Sequence, residues 1–114
     1  MNILDATVRD GSYAIDFKFS CKDVRDLVSR AERIGLKYIE VGHGQGLNAS
    51  SHEHGIALQT DVEYMRAAKE VVKEAKLGFF CIPGIARLED ITTAKENGID
   101  FLRMGVNAQE YPKV

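Results

Sequence analysis

The chain reads as an α/β protein built from parallel β-α-β units. Three observations predict this. Short apolar runs alternate with amphipathic stretches along all 114 residues. The apolar runs lack the polar alternation of a half-exposed strand, as strands covered on both faces do. Helix start and stop signals stand between them, so strand and helix take turns.

Taken in order, Asn2 to Thr7 is the first expected strand. Ser20 stands where a helix N-cap should, with Asp23 three residues on as a weak capping box. Val24, Leu27, Val28, Ala31 and Ile34 then fall on one helical face, and Gly35 ends the helix. Tyr38 to Gly42 is the second strand, followed by a long Gly/Ser/His loop from His43 to Gln59. Thr60-Asp61-Val62-Glu63 is a full capping box, and Met65, Ala68, Val72 and Ala75 mark the apolar face behind it. Leu77 to Ile82 is the third strand, closed by Pro83-Gly84. Leu88, Ile91 and Ala94 predict a shorter helix stopped by Gly98, and Phe101 to Val106 a fourth strand. An open doubly wound sheet and part of a (β/α)8 barrel both satisfy this order, and periodicity does not separate them.

Composition narrows the function classes. Hydrophobic residues are 45 % and charged residues 28 %, ordinary for one globular domain. Fifteen Lys plus Arg against 17 Asp plus Glu give a charge of −2, which argues against a dedicated nucleic-acid surface. No apolar run approaches the ~20 residues of a membrane span, since Leu77 to Ala86 is broken by Pro83-Gly84. Met1 to Asp5 lacks the pattern of a secretory signal. Cys21 and Cys81 stand far apart without a C-x-x-C, so neither a disulfide framework nor a zinc ribbon is indicated. A cytoplasmic location is the expectation.

In both architectures functional groups collect at the carboxyl ends of strands. Arg9-Asp10-Gly11 follows the first strand directly and can aim two polar groups at one pocket. The alternative is a solvated turn with a surface ion pair, which contributes little. Glu40 breaks the apolar run Tyr38-Ile39-Glu40-Val41. Its neighbours have the opposite side-chain parity and face the helices, so Glu40 faces the other side of the sheet. A carboxylate there is costly unless paired, and Arg9 and Arg103 are the candidate partners. A purely structural buried pair is the alternative reading.

Gly42-His43-Gly44-Gln45-Gly46 looks like a phosphate cradle but fails the dinucleotide pattern, because Leu47 occupies the third glycine position. It is expected to be a flexible loop at the top of the strands, with His43 a substrate contact. His52-Glu53-His54 has H-x-H spacing, but in a Ser/Gly loop a plain polar turn is the better reading. Cys21 at a helix start reads as a small first-turn residue, Cys81 as a core cysteine.

Leu4-Asp5-Ala6-Thr7-Val8-Arg9-Asp10-Gly11-Ser12 resembles the first-strand motif of the Asp-Arg-Glu metal-dependent lyases of TIM-barrel fold, the HMG-CoA lyase-like superfamily. Ile39-Glu40-Val41 resembles the second-strand motif that supplies its glutamate. The run Val41 to Ser51, Arg9 to Ile15 and the turn Pro83-Gly84-Ile85 are most similar to the 4-hydroxy-2-oxovalerate aldolase branch.

The resemblance implies the N-terminal half of a TIM barrel, with residues 1–114 as one partial domain. It implies a metal-dependent aldolase that makes or breaks a C–C bond in a 4-hydroxy-2-oxo acid, giving pyruvate and an aldehyde. Asp10 would ligate Mg²⁺ or Mn²⁺. Arg9 would stabilise the enolate oxygen, and Glu40 would hold Arg9 or the hydrogen bonds around the metal. The branch usually has a histidine base where this chain has Tyr13, and a phenol with reference pKa near ~10 is a poorer base. The family's own H-x-H metal pair belongs to a later strand, so no metal role passes to His52 and His54.

An acyl-CoA lyase or 2-oxo-acid synthase of the same superfamily is the near alternative. A non-catalytic half-barrel that binds a ligand or a partner half is the alternative from another class. The expected ligand is a small 2-oxo acid, with no nucleic acid and no membrane. Open sheet edges predict a homo-oligomer, and the resemblance adds a dehydrogenase partner.

Overall fold

The computed structural model describes residues 4–15, 17–52 and 54–105, and all their side chains except those of Val8 and Asp10. The first strand β1 is short, Leu4–Asp5. The sequence reading carried it through Thr7, but helix α1, Thr7–Gly11, begins there instead. The Asp5 carboxylate accepts hydrogen bonds from the Thr7 N–H (3.1 Å) and hydroxyl (2.5 Å). That local bond, an Asx turn, bends the chain out of the strand. A 3₁₀ turn, Ser12–Ile15, continues it.

Helix α2 spans Cys21–Arg33. Its start is the expected reciprocal box: Ser20 Oγ takes the Asp23 N–H, and the Asp23 carboxylate takes the Ser20 N–H. Gly35 follows with φ 95°, a conformation that only glycine adopts without strain. Strand β2 is Tyr38–Val41. Helix α3, Asp61–Val71, starts with the same box from Thr60 and Glu63. It stops earlier than its apolar spacing suggests, so Ala75 is buried in a connection rather than on the helix. The reason is Glu32 of α2, whose carboxylate accepts the N–H groups of Lys73, Glu74 and Ala75 at 2.6–3.0 Å. Strand β3 is Lys76–Cys81, helix α4 Leu88–Glu96 and strand β4 Phe101–Met104. The expected end of β4 at Val106 lies outside the described residues.

The strands lie in the order β1-β2-β3-β4, all parallel. A doubly wound sheet reverses its strand order at a switch point. Consecutive order without reversal is that of a barrel wall, so the sheet is half of a TIM barrel rather than an open doubly wound one.

Register separates the two faces. Ile39, Val41, Leu77 and Phe79 point to the helices and are fully buried against Val24, Val28, Met65 and Ala68. Each such side chain contributes about 1.5–3 kcal/mol of burial. Tyr38, Glu40, Gly78, Phe80, Phe101 and Arg103 share the opposite, inward face. Gly78 is required there, because a Cβ would stand 2.1 Å from the Phe101 ring.

Burial pushes the Glu32 carboxylate up, but the N–H donors of Ala75, Glu74 and Lys73 outweigh it and hold its pKa below the usual range. Its stabilising effect is therefore present above the ordinary carboxylate pKa and lost as pH falls through the lowered value. Replacing Glu32 by Ala strands those donors and should cost about 1–3 kcal/mol, read as a lower urea midpoint at pH 7. The cost should shrink in acid.

Candidate functional site

The polar cluster stands near the C-terminal ends of β1, β2 and β4. Glu40 is fully buried on the inward face of β2. Arg9, from α1, donates from Nε to Glu40 Oε1 at 2.5 Å. Arg103, from β4, donates from Nε to Oε2 and from Nη2 to Oε1, both at 2.8 Å. Arg9 and Arg103 are the two partners the sequence offered, and the fold brings both to Glu40. Phe80 lies beneath them, its ring centre 4.6 Å from Arg9 Cζ and 4.9 Å from Arg103 Cζ. These contacts are favourable cation–π geometry. Two charge-assisted partners offset the cost of burying the Glu40 carboxylate.

Arg9 is fixed a second time. Its Nη1 donates to the Gly44 carbonyl at 2.8 Å, tying α1 to the loop after β2. Ser12, itself buried, donates from Oγ to the Arg9 carbonyl at 2.7 Å. Tyr13 is half exposed, and its ring occupies the space a Gly44 Cβ would take, 2.5 Å away. Arg9 and Tyr13 therefore both touch Gly44, and Glu40 joins them through Arg9. The side chain of Asp10 lies outside what the structure describes.

The glycines of this loop serve packing. Gly42 (φ 102°) leaves room for the Phe79 ring, and Gly46 (φ 91°) lets the backbone approach the Phe80 carbonyl, which accepts the Leu47 N–H at 2.9 Å. The segment Gly42 to Gly44 is buried rather than the loose loop its composition suggests. His43 is buried too. Its Nδ1 accepts the Gln45 N–H and its Nε2 lies 3.0 Å from the Gly55 carbonyl. That pairing fits a neutral ring protonated at Nε2. Burial lowers its pKa, with the His54 charge adding and the Gly55 bond opposing. His43 thus holds the loop together with both ring nitrogens, a task its spacing did not reveal.

His52 and His54 sit on a turn closed by the Ser51–Gly55 bridge, and Glu53 between them lies outside the described residues. Among the described residues no three His, Cys, Asp or Glu side chains converge as a metal site. Burial raises the Cys21 and Cys81 thiols, so the helix start does not activate Cys21.

Sequence reasoning missed Phe17, Asn48 and Asp61. Asn48, at φ 62°, donates its N–H to the Asp61 carboxylate (2.8 Å) and its Nδ2 to the Ile85 carbonyl (2.9 Å). It thereby joins the loops after β2 and β3. Only the tolerance of asparagine for positive φ hints at this.

Sequentially ordered parallel strands with a polar cluster at their C-terminal ends define a TIM-barrel type of domain. Residues 1–111 match the HMGL-like family, and the chain belongs to that family. It is 45 % identical over 112 residues to oxaloacetate decarboxylase of Mycobacterium tuberculosis, covering 98 % of this chain and 33 % of that protein. It is 39 % identical over 110 residues to 4-hydroxy-2-oxovalerate aldolase 2 of Nocardia farcinica, covering 96 % and 32 %. The chain thus spans about a third of these relatives' length. The N-terminal domain of a protein assigned as an aldolase, from Bacteroides vulgatus, superposes with a TM-score of 0.74 at 22 % identity, over 96 % of this chain and 37 % of that one. That likeness concerns the fold.

Burial pushes the Asp61 pKa up to about 6, with the Asn48 N–H opposing and Asp90 adding. The folded state therefore holds this proton more tightly than the unfolded chain. Its contribution to stability is complete below the ordinary aspartate pKa and lost as pH rises to about 6. The variant Asp61→Asn should remove that loss. The stability difference between variant and wild type should grow in the variant's favour from pH 4 to pH 7, measured by urea unfolding.

Proposed function

We propose that this chain supplies the Arg9–Asp10–Glu40 part of a divalent-metal-dependent lyase that cleaves or forms a C–C bond in a 2-oxo acid. The observation that carries this reading is Arg9, clamped by buried Glu40 and by the Gly44 carbonyl at the strand ends. The names of the two relatives support it. Decarboxylating oxaloacetate and cleaving 4-hydroxy-2-oxovalerate share one event: the bond to C3 breaks and its electron pair becomes the enolate of pyruvate.

In this reading Arg9 presents a fixed cation to the enolate oxygen, with little reorganisation needed as charge develops. Glu40 acts on Arg9 and sets its orientation, and Arg103 shares Glu40. A divalent cation, Mg²⁺ or Mn²⁺, polarises the 2-oxo carbonyl when bound. Asp10 is the hard-oxygen ligand this chain offers. One carboxylate is not a full ligand set, and the described residues add no second cluster.

Tyr13 favours a second reading of the same site. Retro-aldol cleavage needs a base to take the proton of the C4 hydroxyl. Decarboxylation needs none: CO₂ leaves, and only C3 of the enolate must then be protonated. A phenol is better suited to giving that proton than to taking the other.

The full-length protein with Mn²⁺ should release pyruvate from a 4-hydroxy-2-oxo acid or from oxaloacetate, and Arg9→Gln should lower kcat by about 10²–10³-fold. Release from neither substrate defeats the proposal and leaves a non-catalytic module. Faster release from oxaloacetate favours the decarboxylase reading. Calorimetric titration with Mn²⁺ should show binding that Asp10→Asn weakens at least tenfold, and equal affinity in both proteins removes Asp10 from the metal site.

A further inference from the structure

Phe17 has a backbone conformation that aromatic residues rarely adopt, φ 63°. Such outliers persist only where the surroundings over-determine them, and they gather at functional sites. Here the surroundings are specific. The Phe17 N–H donates to the Ser12 carbonyl (2.6 Å), and the Phe17 carbonyl accepts the Leu58 N–H (3.1 Å). Lys18 Nζ adds a bond to the Ile56 carbonyl at 2.7 Å. The segment after α1 is thereby stitched to the far end of the loop after β2.

The Phe17 ring completes the clamp. It stacks on the His43 imidazole with centres 4.1 Å apart and planes 5° from parallel. Gly55 gives it room, since a Cβ there would fall 2.2 Å from the ring. The Tyr13 ring meets it edge-on at 5.2 Å. Tyr13 in turn fills the space over Gly44, whose carbonyl holds Arg9. His43, Phe17, Tyr13 and Gly44 form one continuous path of contacts from the buried loop to the arginine.

We propose that Phe17 is a positioning residue that fixes the Tyr13 phenol against Gly44, next to the Arg9 anchor, for proton transfer. The inference rests on the lyase reading above and adds to it how Tyr13 is aimed. A half-exposed tyrosine on a short turn has many rotamers to choose from. The ring of Phe17 on one side and the bare α-carbon of Gly44 on the other narrow that choice.

The test is a double-mutant cycle in the full-length protein with Mn²⁺ and oxaloacetate. Phe17→Leu should lower kcat about tenfold with KM within twofold, while Phe17→Tyr, which keeps the stack, should stay within twofold of wild type. On a Tyr13→Phe background, Phe17→Leu should cost less than twofold. A full tenfold cost on that background overturns the proposal, as does a lowered Tm with unchanged kcat. If wild type has no lyase activity, the functional reading fails by itself. Proton NMR then decides the geometry: Overhauser contacts between Tyr13 and Gly44 should persist in Phe17→Tyr and vanish in folded Phe17→Leu. Their persistence in Phe17→Leu overturns the clamp.

Discussion

The C-terminal end of this half-barrel depends on where the Glu40 carboxylate finds its counter-charges. A fully buried carboxylate left with no partner is an uncompensated charge in a medium of low dielectric, and a folded state carrying it is heavily penalised. Arg9 and Arg103 reach Glu40 from either side of β2, one from the helix after β1 and one from β4. Together they give each Glu40 oxygen a charged donor on the inward face. The pairing ties α1 and β4 to the same point on β2.

The two ends of the sheet use similar chemistry for different purposes. At the N-terminal end, Glu32 gathers three backbone N–H groups and closes the turn between α3 and β3. That arrangement joins α2 to the α3–β3 turn and is structural. At the C-terminal end, Arg9 is fixed on Nε and Nη1, yet the cluster stands beside half-exposed Tyr13. Barrel enzymes divide labour in this way, with stability below and chemistry above.

Much of the fold could be read from residues acting on their neighbours in sequence. Ser20 with Asp23, Thr60 with Glu63, and Gly35 each decide a helix end within four residues, so their signals survive in one dimension. Glu40 was legible as a misfit in an apolar run, and its parity gave its face. The differences have two kinds of cause, one distant and one local. Ala75 keeps helical spacing with Met65 and Ala68, but Glu32, 43 residues away, takes its N–H. Thr7 continues an apolar run, but Asp5 turns it into a helix. The Gly-His-Gly loop has the composition of a mobile segment, but rings from β3 and Phe17 fill the space its glycines leave.

The sequence by itself determined the alternation of strands and helices, the helix boundaries set by caps, and the identity of the charged residues that must be paired. Tertiary structure alone decided three things. It ordered the strands without reversal, choosing barrel wall over doubly wound sheet. It brought Arg9 and Arg103 to Glu40 at the same time. It buried His43 and stacked it on the Phe17 ring. The physical reason is the same in each case. Hydrogen-bond caps and apolar periodicity act over a few residues, whereas strand neighbours, charge partners and ring stacking act between segments 23 to 63 residues apart, which only the folded chain brings together.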